Sequence, residues 1–415
     1  MKQIIILGAG MIGSAIAFDL SNQYSITVVD IDKNKLTELA KKCSVKTIRE
    51  DIANKTTLER IVKPYDLVIC AVPSFMGYKT LQNIIEAGKN IVDISFFAED
   101  PFKLDKLAKQ KKVTAVVDCG IAPGLSNIIL GHHNSRMKIE YFECLVGGLP
   151  FERKLPFQYK APFAPADVIE EYTRPARIVQ NGKVIIKEAL SDVEQVNIKN
   201  AGTLESFNTD GLRTLITTMK IPDMKEKTLR YPGHIEYINV LKQSGFFSEN
   251  YVNVNGKKVR PIDLSAKLLF PLWHLNEEEK EFTVLRIIIR GKENNKRKEY
   301  IYHLFDQFDE NTKITSMART TGYTCSSVAR LLMDNQYSRK GISPPEFIGA
   351  NDKCYDKVIK DLKKEKLPLK SMRENLIQMI INQDKSRGLY YGKKNYNQNF
   401  FSCFNWISGW LVGLA

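Results

Sequence analysis

Near its start the chain reads Ile4-Ile5-Ile6-Leu7-Gly8-Ala9-Gly10-Met11-Ile12-Gly13, and a second apolar stretch, Thr27-Val28-Val29-Asp30, ends on a carboxylate. The chemistry open to residues so spaced is to hold a dinucleotide. Gly8 permits a tight turn, Gly10 lets backbone N–H groups approach a pyrophosphate, and Gly13 lets helix and strand come close. The helix that opens at Met11 and Ile12 aims its N-terminal dipole and unpaired N–H groups at the phosphates. Asp30 is placed to accept hydrogen bonds from the adenosine ribose. A 2′-phosphate on that ribose would be repelled by Asp30, and the next residues, Ile31 and Asp32, bring no arginine. Lys33 and Lys35 read as solvated helix residues. NAD, rather than NADP, is the expected cofactor.

These residues need elements to position them. Residues 1–125 alternate short apolar runs with helical patterns, as a parallel α/β sheet requires, and form the expected NAD-binding domain. Helices are expected over 33–42 and around 80–87, and strands near 45–47, 66–73, 90–95 and 113–118. Ligands of such sheets lie beyond the carboxyl ends of the strands. That nominates Val72-Pro73-Ser74, Asp93-Ile94-Ser95 and Asp118-Cys119-Gly120 as cleft-lining loops, with Val72, Pro73, Ser74 and Ser95 as further cofactor contacts.

From about Lys138 the pattern turns strand-like, with alternation over 140–146, 177–186, 193–198 and 281–290. A hairpin turn is expected at Gly291-Lys292-Glu293-Asn294-Asn295, answered by a strand over 299–305. Helices are expected near 211–219 and 237–244. The expected fold is thus α/β: a Rossmann-like doubly wound parallel sheet with a second α+β domain, 126–314, built on a mainly antiparallel sheet. A helix over 316–332 carries small residues along one side and is expected to return to the first domain, with residues 315–365. Residues 366–415 form a tail. Its aromatic and apolar end, 400–415, is short against the ~20 residues of a membrane span, so docking on the body or on another subunit is expected and stable membrane insertion is not.

Bulk composition narrows the class. A chain of 415 residues, 43% hydrophobic, can bury a large core and is expected to hold two domains. The net charge of +14 comes from lysines scattered along the chain rather than from one arginine-rich stripe, so no nucleic-acid partner is expected. Seven cysteines without C-x-x-C spacing read as reduced thiols, not as a disulfide framework, and no metal is expected. The N-terminus enters a strand directly, which fits a cytoplasmic protein without a signal peptide. The broad second sheet is expected to offer a surface for a homo-oligomer.

Several stretches past the first domain resemble the saccharopine dehydrogenase family, and within it the lysine 6-dehydrogenases most closely. They are Asp118-Cys119-Gly120-Ile121-Ala122-Pro123-Gly124-Leu125-Ser126-Asn127, Val146-Gly147-Gly148-Leu149-Pro150, the run from Pro165 to Arg177 and Phe207-Asn208-Thr209-Asp210-Gly211-Leu212-Arg213. Lys227-Thr228-Leu229-Arg230-Tyr231-Pro232-Gly233-His234, Ala318-Arg319-Thr320-Thr321-Gly322-Tyr323 and Pro344-Pro345-Glu346 follow in order. The resemblance runs from residue 1 to about 350. It implies an NAD-dependent oxidative deamination of the ε-amine of L-lysine to 2-aminoadipate 6-semialdehyde, with release of ammonia. The saccharopine-forming branch is disfavoured because it carries acidic residues in the Pro-Gly loop, where this chain has Ala122 and Ser126. Saccharopine reductase or a polyamine-type relative is the alternative within the enzyme class, and an NAD-sensing regulator the alternative outside it.

Amine oxidation sets its own demands. Hydride leaves only from the carbon of a neutral amine, and neutralising a free lysine amine at pH 7 costs about 4.6 kcal/mol from its reference pKa of ~10.4. A base must take the proton. Asp118 ends a strand beside the Pro-Gly loop and is the first candidate; Asp93, His234 and Tyr172 are the others. The α-carboxylate of lysine calls for a bidentate arginine, for which Arg174, Arg213 and Arg230 stand in family-like stretches. Asp210 or Glu171 is expected to hold the α-ammonium.

Overall fold

The computed structural model describes residues 2–161, 165–276, 279–367 and 369–374. The apolar 400–415 stretch and most of the expected tail lie outside them. Among the described residues no helix is long and apolar enough to cross a membrane.

The six opening strands, β1 (Gln3–Leu7), β2 (Ser25–Asp30), β3 (Lys46–Arg49), β4 (Leu67–Cys70), β5 (Ile91–Asp93) and β6 (Thr114–Val116), form a parallel sheet in the order β3-β2-β1-β4-β5-β6. β1 shows why so apolar a strand is central. Ile4 and Ile6 enter one hydrophobic cluster and Ile5 and Leu7 another, so the two-residue period feeds a core on each face. The strand order reverses between β1 and β4, where a doubly wound sheet opens its ligand crevice. The sheet gains a seventh strand that sequence patterning missed, Gly341–Ser343, paired in parallel with β6. Three residues are too few to show a period.

The second half supplies β7 (Lys138–Pro150), β8 (Ala176–Gln180), β9 (Lys183–Lys187), β10 (Glu194–Ile198), β11 (Gly202–Asn208) and β12 (Asp223–Arg230), the exposed hairpin β13 (Val252–Val254) and β14 (Lys257–Val259), and then β15 (Glu281–Glu293) and β16 (Lys296–Gln307). The single strand expected over 177–186 is two, because Asn181 (φ 50°) and Gly182 (φ 74°) turn the chain between β8 and β9. β10-β11-β12-β7-β15-β16 follow one another across a sheet in which β7 and β12 run parallel and the other neighbours in this order antiparallel. The β15–β16 turn is tighter than expected. Pairing continues to Glu293 and Lys296, and Asn294 and Asn295 turn with φ of 50° and 60°, as a two-residue type I′ turn demands. Gly291 lies inside β15 at a register shift, where a Cβ would overlap the carbonyl of Lys138.

Helix Ser316–Met333 lies against helix Met11–Leu20. A Cβ on Gly322 would come within 3.2 to 3.5 Å of Ile16, Ala15 and the carbonyl of Ile12, and Arg330 pairs with Asp19 at 2.9 Å. One hydrophobic cluster accordingly runs from Ile4 and Ile6 through Val328 to Leu285 and Ile287 of β15, joining both sheets.

At the start of that helix the buried carboxyl of Glu281 accepts from the backbone N–H of Ser316, and burial pushes it up to about 8 from an ordinary 4.5. A carboxyl raised on folding stabilises fully below its unfolded value, and the contribution fades as pH rises toward the folded value. Wild type should therefore lose stability from about pH 5 to pH 8, and Glu281→Gln should flatten that loss by up to about 1.4 kcal/mol per pH unit. Urea titrations across the range measure it; equal slopes in both proteins would show that Glu281 does not titrate there.

Candidate active site

The carboxyl ends of β1, β2, β4 and β6 and the loop after β5 open onto a cleft of about 1530 Å³, whose facing wall comes from the second sheet. Gly8 sits at φ 108°, and a Cβ there would overlap the carbonyl oxygen of Ala71; one on Gly13 would overlap that of Gly8. Around Gly10 nothing lies within 4 Å of an added Cβ. The three glycines thus divide the work: Gly8 and Gly13 keep backbones close, and Gly10 leaves space. The first bond of helix Met11–Leu20 runs from Ser14 N to Gly10 O at 2.9 Å, so the N–H groups of Met11, Ile12 and Gly13 precede its ladder. Asp30 accepts from Ala9 N at 2.7 Å and Asp32 N at 2.8 Å, and its carboxylate lines the cleft. An open glycine surface, a helix N-terminus and a fixed acid fit the pyrophosphate and ribose of a nicotinamide dinucleotide.

One cation near that acid was not visible along the chain. β3 pairs Arg49 with Asp30, and Arg49 Nε donates to Ile31 O at 3.2 Å. Val72 and Pro73 line the cleft, as does Ser95. Ser74 does not: it is buried, and its hydroxyl donates to Asp167 at 2.6 Å, linking helix Ser74–Glu86 to helix Pro165–Thr173.

The candidate bases separate clearly. Asp118 lines the cleft with its backbone in the left-handed region (φ 54°). Arg213, also left-handed (φ 49°), donates from Nε to Asp118 Oδ1 at 3.0 Å, and both side chains are buried. Two non-glycine residues held at positive φ in one ion pair mark a place where surrounding structure outweighs local preference. Asp93 is fully buried beneath the cleft wall. Ser95 donates to it from N at 2.7 Å and Oγ at 2.5 Å, and burial lifts its carboxyl to about 7. His234 and Tyr172 bond each other at 2.8 Å in the core, His234 also reaches Phe157 O at 2.8 Å, and burial with the nearby Arg230 charge lowers the imidazole to about 3. Neither lines the cleft; they buttress Arg230 from behind, Tyr172 Oη accepting from its Nε at 3.1 Å.

The arginines are equally distinct. Arg213 is spent on Asp118 and on the carbonyl of Phe97. Arg230, 1% exposed, donates to Glu171 at 2.7 Å and to Tyr159 at 3.3 Å, although part of it reaches the cleft. Arg174 pairs with Glu170, lies over the Phe96 ring and lines the cleft, and its buried Nη1 has no hydrogen-bond partner. Asp210 is held by Arg177 through Nε and Nη2, each at 2.8 Å, and Glu171 by Arg230.

Sequence reasoning missed Glu226. It lines the cleft from β12, is 3% exposed, and its Oε2 is buried without a hydrogen-bond partner. Burial, and then the negative charges of Asp210, Glu171 and Asp118, raise its carboxyl to about 8. The signal was two-residue alternation, because Glu226, Thr228 and Arg230 share one face of β12 and all three line the cleft. With Asp118, Asp167, Glu170, Glu171 and Asp210, the wall carries six carboxyl groups, four of them paired with Arg213, Arg174, Arg230 and Arg177. The two without a bonded cation among the described residues, Asp167 and Glu226, favour a ligand that brings positive charge.

Comparison with known proteins gives this cleft its relatives. The model of the saccharopine dehydrogenase NADP binding domain matches residues 4–116, and that of the saccharopine dehydrogenase C-terminal domain residues 120–367. Rat mitochondrial alpha-aminoadipic semialdehyde synthase is 24% identical over 264 residues, which are 60% of this chain and 28% of that protein. The L-glutamate-forming, NADP(+) saccharopine dehydrogenase of Pyricularia oryzae is 24% identical over 266 residues, 60% of this chain and 58% of its own. The chain thus aligns with less than two thirds of each of these relatives. Among solved structures, apo saccharopine dehydrogenase (L-Glu forming) from Saccharomyces cerevisiae superposes with a TM-score of 0.72 at 17% identity, covering 90% of this chain and 100% of that one. The homospermidine synthase of Legionella pneumophila, in complex with NAD, follows at 0.65 and 13%, covering 90% and 92%. At these identities both speak to the fold alone.

Proposed function

The chain belongs to the saccharopine dehydrogenase family, and from that premise we propose that it oxidises the ε-amine of L-lysine with NAD, releasing ammonia and 2-aminoadipate 6-semialdehyde. The observation that carries this reading is the carboxyl-rich wall opposite the glycine turn. L-lysine brings an ammonium group to Asp167 and Glu226, which have no bonded cation among the described residues, whereas saccharopine adds a dicarboxylate arm, and the two arginines that line the wall already pair with Glu170 and Glu171. A nicotinamide dinucleotide seated on Gly10 would supply the hydride acceptor. NAD is favoured because Asp30 stands where a 2′-phosphate would have to sit, with Arg49 the one cation that β3 brings to its side.

For the α-carboxylate of the substrate, Arg174 is the best of the three arginines, since it lines the cleft and one of its terminal nitrogens has no partner among the described residues, whereas Arg213 is held by Asp118. Arg174→Met should raise KM for L-lysine at least about tenfold, one lost charge-assisted bond, while the Kd for NAD stays within twofold. Steady-state kinetics and cofactor titration read the two separately; equal losses in both would make the residue structural.

Absorbance at 340 nm with NAD or NADP and a panel of amines tests the function. L-lysine with NAD should give the signal, and kcat/KM should climb into alkaline pH as substrate amine is neutralised. A signal only in reverse, from glutamate, the semialdehyde and reduced cofactor, would support saccharopine reduction instead. No turnover of any amine would leave a cofactor-sensing protein.

A further inference from the structure

Glu226 stands apart from every other carboxyl on the cleft wall. Asp118 is bonded to Arg213, Asp210 to Arg177, Glu171 to Arg230, Asp167 to Ser74, and Glu170 to Arg174. Among the described residues Glu226 has neither a hydrogen-bond donor nor a bonded cation, although it is buried; Asp118 Oδ2 is likewise without a partner, but its other oxygen holds Arg213. The chain also clears room for it: Gly211 faces it, and any Cβ at that position would overlap Oε1. A buried carboxyl with an unsatisfied oxygen costs stability unless something else occupies it part of the time.

Resting on the reading of this site as an amine-oxidising one, we propose that Glu226 is the proton acceptor for the reacting ammonium group of the substrate. The groups facing it are the carboxyls of Asp210, Glu171 and Asp118 and the guanidinium of Arg213. In the free protein the three negative neighbours and burial keep the Glu226 proton on. A substrate ammonium entering the cleft reverses that balance, and the Glu226 proton leaves to solvent. The carboxylate then takes one proton from the C–NH₃⁺ group, leaving a neutral amine whose lone pair can push as hydride departs from the adjacent carbon to the oxidised nicotinamide. The resulting iminium and one water give the aldehyde and ammonium, and Glu226 keeps the proton it took, which restores its state in the free protein. Over the cycle one amine, one water and one oxidised cofactor become one aldehyde, one ammonium, one reduced cofactor and one proton. Asp118, its charge already matched by the bonded Arg213, is the poorer acceptor.

Calorimetric titration of the cofactor-free protein tests this without turnover. Near pH 7, in two buffers of different ionisation heat, L-lysine should release close to one proton per molecule bound. L-norleucine, which lacks the ε-amine, should release none. Glu226→Gln preserves shape and the neutral state, so it should fold; it should abolish the proton release, bring lysine affinity down to that of norleucine and lower kcat/KM at least about 100-fold, within the range for a lost general base. Glu226→Asp should recover part of the rate. Equal proton release for both ligands in wild type, or lysine turnover within fivefold of wild type in Glu226→Gln, would overturn the assignment while leaving lysine oxidation standing. A wild type that neither binds nor oxidises L-lysine would overturn both.

Discussion

Arg213→Met should destabilise the protein by about 3–5 kcal/mol, among the largest effects available to a single substitution outside the glycines. Arg213 is buried between the Phe96 and Phe97 rings, at 4.8 and 5.2 Å from its guanidinium, and bonds Asp118 and the carbonyl of Phe97. Methionine can replace much of the stacking. It cannot match the charge of Asp118, which then remains buried beside Glu226 with no counter-ion. Breaking one side of a buried pair costs far more than the pair contributes net, because the orphaned charge has no water to return to. Asp118→Asn in the same chain should therefore restore a substantial part of the loss. Urea unfolding of the two single variants and the double variant measures the coupling. A loss under about 1 kcal/mol in Arg213→Met, or strict additivity in the double variant, would mean that the pair does not hold the strained Asp118 turn.

The second large effect separates two glycines of one motif. Gly13→Ala should weaken NAD binding about 100-fold, the equivalent of one or two lost charge-assisted bonds, and lower stability as well. Its methyl would overlap the carbonyl of Gly8, so helix Met11–Leu20 must move off β1 and carry its N-terminal N–H groups with it. Gly10→Ala meets nothing within 4 Å and has an ordinary extended backbone, φ −69° and ψ −179°. It should leave the melting temperature unchanged yet weaken NAD binding, since its methyl occupies the space a pyrophosphate needs. Cofactor titration and thermal melts on both variants give the comparison. Matching behaviour of the two would contradict the division of labour read from the turn.

Much of this is legible in the amino-acid sequence. The apolar run of β1, the glycine spacing and the acid ending β2 depend on local geometry, and local geometry is what a sequence encodes most directly. The loops beyond β4, β5 and β6 followed from the rule that ligands lie at strand carboxyl ends. What stayed hidden depends on partners far along the chain. Arg174, Arg213 and Arg230 were equivalent candidates until Glu170, Asp118 and Glu171 took up their donors. Tyr172 and His234 titrate in useful ranges in water, but burial against Trp273 and Phe207 removes them from the cleft. Glu226 sat in Asp223-Met224-Lys225-Glu226-Lys227, which reads as a solvated charged stretch. In the fold Lys227 is buried on the opposite face, pairing with Glu194 at 2.9 Å, and so Glu226 points into the site. Arg49 came beside Asp30 through strand pairing, a relation that no spacing along the chain could report.

Isotope transfer from L-lysine deuterated at C6 tests the central claim most directly. Hydride departure from the carbon that bears the ε-amine predicts one deuterium in each reduced nicotinamide, slower turnover than with unlabelled lysine, and one ammonia per cofactor reduced. Reduced cofactor that carries no deuterium, or ammonia that fails to accompany it, would contradict the account.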